Sequence, residues 1–195
     1  VPPQYRPDTG RWTGVAARST VFVYNKDRLQ PDQLPKSMLD LQQPEWKGRW
    51  GAPPAKADFQ AIVAAMLELE GESATAQWLD AMKANAVLYN NNIDTLKAVN
   101  AGEVDGGIIY HYYWYRDQAK TKEISGNTAL HYFKNQDPGA FVSLSGGGVL
   151  ASSDKQDQAQ QFIRFITSRA GQEVLDVTDQ VGLRLDRGRD VERSA

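Results

Sequence analysis

With 195 residues, 41% of them hydrophobic and 24% charged, the chain can bury one good core, or one core and part of another. A net charge of -2 excludes the broad basic footprint of a nucleic-acid binder, and zero cysteines exclude disulfides, thiolate metal sites and cysteine nucleophiles together. No run approaches the ~20 apolar residues of a membrane span. The start also lacks the basic, apolar and small-residue order of a leader, so the chain reads as a mature protein or a fragment.

Pro2, Pro3 and Pro7 make the opening a connecting segment. Arg18 to Asn25 is rich in β-branched and aromatic residues and predicts a strand. A turn-rich stretch from Pro31 to Pro35 follows, then a short helix over Ser37 to Leu41 and a loop from Pro44 to Trp50 that leads to a short strand. Asp58 is placed to cap a helix over Phe59 to Glu70, with Ile62, Met66 and Leu69 on one face. Gly71 ends that helix, and Ser73 starts another whose buried side is Trp78, Leu79 and Met82. Asn92 to Asn100 predicts a further helix, ended by Ala101-Gly102. Val104 to Ile109, an apolar run containing two glycines, predicts a buried strand, with a polar helix beginning after Trp114. Gln156 to Arg169 has Ala159, Phe162, Ile163 and Ile166 at helical spacing, which predicts core packing. In the tail, Arg184, Arg187, Arg189 and Arg193 interleave with Asp186, Asp190 and Glu192, the pattern of a solvated segment. Strands alternating with helices imply an α/β fold.

Chemistry concentrates in the window Ile109-Tyr-His-Tyr-Tyr-Trp-Tyr-Arg116. Neighbouring side chains point to opposite faces of a strand and lie about 100° apart on a helix, so one core face cannot bury both Tyr112 and Tyr113. At a strand-to-helix junction, where open α/β sheets keep their ligand sites, two phenols can converge. Two readings stand. The rings form an amphipathic wall with hydrogen-bonded tips, or the deprotonated phenols bind a hard, highly charged cation, for which ferric iron is the obvious candidate. His111 tempts as a nitrogen ligand, but its side chain should point away from Tyr112, which favours a structural role. Other chemistry finds no foothold. Ser145-Gly-Gly-Gly148 lacks the ending of a phosphate loop and reads as a tight turn. His111 and His131 lack zinc-site spacing, Ser143 and Ser145 lack a nucleophile elbow, and Glu68, Glu70 and Glu72 read as a solvated helix end.

The string Tyr112-Tyr113-Trp114, followed by Asp137-Pro-Gly-Ala140 and Ser145-Gly-Gly-Gly-Val-Leu-Ala-Ser-Ser153, resembles the periplasmic ferric-ion-binding proteins of ABC iron-uptake systems. Trp12-Thr-Gly-Val15, Arg18, Val21-Phe-Val-Tyr-Asn25 and Phe162-Ile-Arg-Phe-Ile166 through Gly171-Gln172 add to the resemblance, which runs from about residue 5 to about residue 176. It implies a periplasmic-binding-protein type II-like fold: two α/β lobes joined by hinge strands, with iron in the cleft between them. It also implies an incomplete chain, since the N-terminal part with further ligand positions would precede Val1 and the far C-terminal helices are missing. From about Gln180 the match ends. Residues 1–18 would be part of the first lobe and a hinge strand, 19–142 the second lobe, 143–185 the return to the first, and 186–195 a divergent tail.

The resemblance makes Tyr112 and Tyr113 the ferric ligands and assigns Asn92, Arg18 and Asp58 to a synergistic anion, carbonate or phosphate. Asn92 would otherwise cap a helix and Arg18 form a structural ion pair. Lys56-Ala57-Asp58 departs from the Ser-Gly-Ala anion loop of some members, and Tyr110 replaces an asparagine. Asp58 would repel an anion unless it capped the helix or joined the metal. The implied function is that of an extracytoplasmic receptor, periplasmic or anchored as a lipoprotein, which hands ferric iron to a membrane permease without turnover. An incomplete first lobe would expose apolar surface and favour a swapped or associated oligomer. The alternatives are a same-fold receptor for an organic solute such as a polyamine, thiamine or a phosphonate, and an enzyme with a tyrosine acid or base.

Overall fold

The computed structural model describes Val1 and residues 3–177. The expected tail at 186–195 and the end of the match near Gln180 lie outside the described residues. The chain divides into two compact units: Ser19–Phe141, and Val1–Arg18 together with the described residues from Val142 onward.

In the Ser19–Phe141 unit, strand β1 (Thr13–Asn25) enters from the other unit. The other strands are β2 (Trp50–Ala52), β3 (Ala86–Leu88), β4 (Gly106–Tyr110) and β5 (Thr128–His131), in the sheet order β3-β2-β4-β1-β5. β2 runs parallel to β3 and β4, whereas β1 is antiparallel to β4 and β5. Helix α1 (Ala57–Asn85) connects β2 to β3, α2 (Asn92–Ala101) connects β3 to β4, and α3 (His111–Lys120) follows β4 directly. Because β2, β3 and β4 are parallel, the helices after them all begin at one edge of the sheet, which is where such sheets bind ligands.

Alternation along the strands builds both faces. Phe22, Ile108 and Tyr110 join a cluster with Phe59, Ile62, Met66, Trp78 and Met82 of α1. Val21, Val23 and Ile109 face Leu96 and Val99 of α2, with Trp114 of α3 beside them. Ala57 opens α1 with Lys56 as its N-cap, so Asp58 lies in the first turn and is not the cap. The helix breaks at Gly71 (φ 81°, ψ 172°), a conformation open to glycine and costly for other residues, as the expected stop there requires. Trp78 and Met82 are buried as expected, but Leu79 is exposed, because it lies about 100° around the helix from Trp78. The polar helix expected after Trp114 begins at His111, so the tyrosine pair occupies its first turn.

In the other unit, β6 (Val142–Gly147) pairs with β1 over a small core of Tyr5, Ala17, Val142 and Leu144. Of the glycines expected to form a turn, Gly146 and Gly147 are strand instead and Gly148 follows directly, and they admit a close neighbour. A Cβ on Gly146 would lie 2.9 Å from the Trp12 ring, and one on Gly148 2.8 Å from the Arg11 carbonyl oxygen. Helices α4 (Gln156–Ile166) and α5 (Arg169–Val177) follow in the described part of this unit. The core packing expected of α4 is met only in part: Ala159, Ile163 and Ile166 are half-buried, whereas Phe162 is 62% exposed. The helical periodicity is real, but an apolar stripe is buried only if another layer covers it, and the described part of this unit supplies only a small one.

Candidate functional site

Three helix N-termini meet at the sheet edge. Asn92, the first residue of α2, donates from Nδ2 to Asp58 Oδ2 in the first turn of α1 at 3.1 Å. Its Oδ1 accepts the backbone N–H of Tyr110, the N-cap of α3, at 3.3 Å. The Tyr110 hydroxyl in turn donates to the Asp58 carbonyl oxygen at 3.2 Å. Asn92 is 4% exposed and does not cap its helix; Asn91 does, accepting from the Asp94 N–H at 2.9 Å. Each positive helix end favours negative charge, and the chain places its own carboxylate among them.

The Tyr112 and Tyr113 rings lie 4.1 Å apart, tilted by 31°. Both are half-buried and pack on the cluster containing Phe59 and Tyr110. No core face swallows either ring, and both phenols stay at one junction. Asp117 fixes the far end of α3 by accepting from Thr121 Oγ1, Ser125 Oγ and the Ile124 N–H. Burial pushes its carboxyl up, but these hydrogen bonds outweigh that and hold it below the usual range. The Trp114 indole N–H donates to Thr128 Oγ1 at 2.9 Å, pinning the opposite side of the helix to β5. A second phenol pair, Tyr132 and Tyr115, is no match for the first. Burial, reinforced by a hydrogen bond to Tyr115, pushes the Tyr132 hydroxyl far up and keeps it protonated.

His111 is buried, and its Nδ1 accepts the Ser19 N–H at 3.1 Å. Its ring does not turn away from Tyr112 but meets it edge-on, with centroids 6.4 Å apart. Arg18 is half-buried on β1 and belongs to the other unit. Of the expected site residues, the fold therefore gathers Tyr112, Tyr113, Asn92 and Asp58 in one unit. Sequence reasoning missed Tyr110 and Ser19 as working parts, because their roles lie in backbone amides and a buried hydroxyl that carry no motif. Among the described residues, no three His, Cys, Asp or Glu side chains cluster to hold a metal.

The family model of the bacterial extracellular solute-binding proteins matches residues 2–181. The chain belongs to that family. A protein from Serratia marcescens, named Fe(3+)-binding periplasmic protein, is 66% identical over 90% of this chain and 52% of its own length. The major ferric iron-binding protein of Neisseria meningitidis serogroup B is 37% identical over 84% of this chain and 50% of its own. Among solved structures, iron-bound HitA from Pseudomonas aeruginosa superposes with a TM-score of 0.83 at 42% identity, covering 91% of this chain and 57% of that one. The chain thus spans about half the length of the curated relatives it matches.

Proposed function

We propose that the chain is the ferric-ion-binding part of an extracytoplasmic receptor that serves an ABC permease, with Tyr112 and Tyr113 as phenolate ligands. The observation that carries this is the pair of half-buried phenols, 4.1 Å apart, in the first turn of α3. A ferric ion displaces both phenolic protons, and the positive end of α3 complements the negative charge left on the oxygens. The ion is cargo, bound and released without turnover, so no acid or base is asked of the tyrosines. The names of the Serratia and Neisseria relatives support the iron, and the Serratia name supports a periplasmic location.

The resemblance puts a carbonate or phosphate beside the metal, held by Asn92, Asp58 and Arg18. Asn92 directs an amide donor to Asp58, and a fixed carboxylate repels a second anion at short range. Asp58 therefore takes the anion's part, with Asn92 holding it among the helix ends. The exposed Phe162 and Phe165, three residues apart on α4, support association of this chain through its smaller unit.

Titration of metal-free protein with a chelated ferric salt, read in the visible spectrum, tests the tyrosine assignment. The expected result is a phenolate-to-iron charge-transfer band that weakens in both Tyr112→Phe and Tyr113→Phe. A band of wild-type intensity in both variants, or none in the wild type, would remove the tyrosine pair as ligands.

A further inference from the structure

We propose that His111 is a positioning residue for Tyr112 and works through its Nδ1 acceptor rather than as a metal ligand. The inference rests on the tyrosine-pair reading above. β1 and β4 pair from Tyr24↔Gly106 to Thr20↔Tyr110, and there β4 ends because His111 opens α3. Ser19 is the next residue out on β1. It is buried at 2% exposure, so its N–H must find an acceptor within the protein. The acceptor is the His111 imidazole, at 3.1 Å, in place of a strand carbonyl. One hydrogen bond thus satisfies a buried amide and ties the first residue of α3 to β1.

That bond also fixes the ring. With Nδ1 accepting, the neutral imidazole carries its proton on Nε2, so neither nitrogen offers a free lone pair to a metal. The ring is 1% exposed and meets two phenol rings edge-on: Tyr112 at 6.4 Å and 83°, and Tyr115 at 5.8 Å and 74°. Tyr112 therefore packs on both the clamped imidazole and the Tyr113 ring. Rotation of the imidazole about χ1 or χ2 would cost the Ser19 bond, so the wall against which Tyr112 rests has one position. A phenol whose direction is fixed before the ion arrives gives up less entropy on coordination.

Three substitutions separate this from simple space-filling. Asn at 111 places an amide oxygen near the Nδ1 position, Gln places its polar atoms near the Nε2 position, and Phe keeps a ring with no acceptor. Hydrogen exchange of the Ser19 amide in iron-free protein, ferric affinity by chelator competition and the maximum of the visible band are measured in each. His111→Phe and His111→Gln should expose the Ser19 amide to exchange and lower ferric affinity about 10- to 100-fold, the usual cost of losing a ligand's outer support. In both the band should persist but move, whereas Tyr112→Phe weakens it. His111→Asn should restore Ser19 protection and recover most of the affinity.

Wild-type affinity and band position in His111→Phe would overturn the proposal, because the ring would then be filler. A loss in His111→Asn as large as in His111→Phe, with Ser19 still protected, would also overturn it. No band in the wild type would defeat the tyrosine reading and this inference with it. A band that responds to Tyr112→Phe but to none of the position-111 variants would defeat this inference alone.

Discussion

Asn92→Ala should destabilise the Ser19–Phe141 unit by about 3 kcal/mol in the absence of metal. Asn92 makes two bonds at the meeting of the helices: a donation to a carboxylate at 3.1 Å and an acceptance from the Tyr110 N–H at 3.3 Å. A hydrogen bond to a charged group contributes roughly 1.5–3 kcal/mol, and a buried donor left without a partner costs about 1–3 kcal/mol. The second applies with little discount, since Asn92 is 4% exposed and Tyr110 is buried, whereas the first is reduced because Asp58 is half-buried and water replaces part of the lost bond. Helix propensity offsets part of the loss, because alanine at this position is favoured over asparagine by a few tenths of a kcal/mol or more. With a urea m-value of about 2 kcal/mol/M, typical of a domain of this size, the transition midpoint should fall by roughly 1.5 M. Asn91→Ala is the control. It removes the helix cap but leaves the bridge, and should cost about 1 kcal/mol. A midpoint in Asn92→Ala within about 0.3 M of the wild type, or a larger loss in Asn91→Ala, would refute the claim that Asn92 joins the three helices.

Asp105 accepts from Arg28 Nε at 2.5 Å and Arg49 Nε at 2.6 Å just before β4. Burial pushes its carboxyl up, but the two guanidinium groups outweigh this and leave it below the usual range. A depressed folded value means that its stabilisation is complete above the unfolded value near 3.9 and is lost as pH falls through the folded one. Acid unfolding of Asp105→Asn should therefore start from lower stability at neutral pH and lose less below about pH 4, and an unchanged acid limb would contradict this ion-pair account. In the smaller unit, Phe162→Ser should raise the dissociation constant of any self-association at least about tenfold, as removal of a large apolar contact does. Sedimentation equilibrium reads this directly, and a wild-type chain that stays monomeric at high concentration would count against the exposed Phe162 and Phe165 as a contact.

Several elements were legible in the sequence for plain reasons. Gly71 had to interrupt a helix because glycine tolerates the φ of 81° found there, and Trp78 and Met82 lie four residues apart on one helical face. The tyrosine pair was visible as adjacent phenols at a strand-to-helix junction, although both rings rest half-buried on one core cluster. Other features were closed to it. Asn90, Asn91 and Asn92 are the same residue type in a row, and which of them caps α2 depends on where the helix turns. Phe162 obeys helical spacing as well as any core residue, yet spacing states only that a face exists, not that something covers it.

The local sequence by itself determined the α/β alternation, the strand-to-helix junction and the residue types able to bind a hard cation, because those depend on periodicity and side-chain chemistry. Only the tertiary structure decided that Asp58, Asn92 and Tyr110 meet. They come from three separate βα junctions, which the parallel pairing of β2, β3 and β4 brings to one sheet edge. It also decided that His111 faces Ser19, ninety-two residues away in sequence, because a strand amide at the end of a ladder takes whatever acceptor the neighbouring element presents.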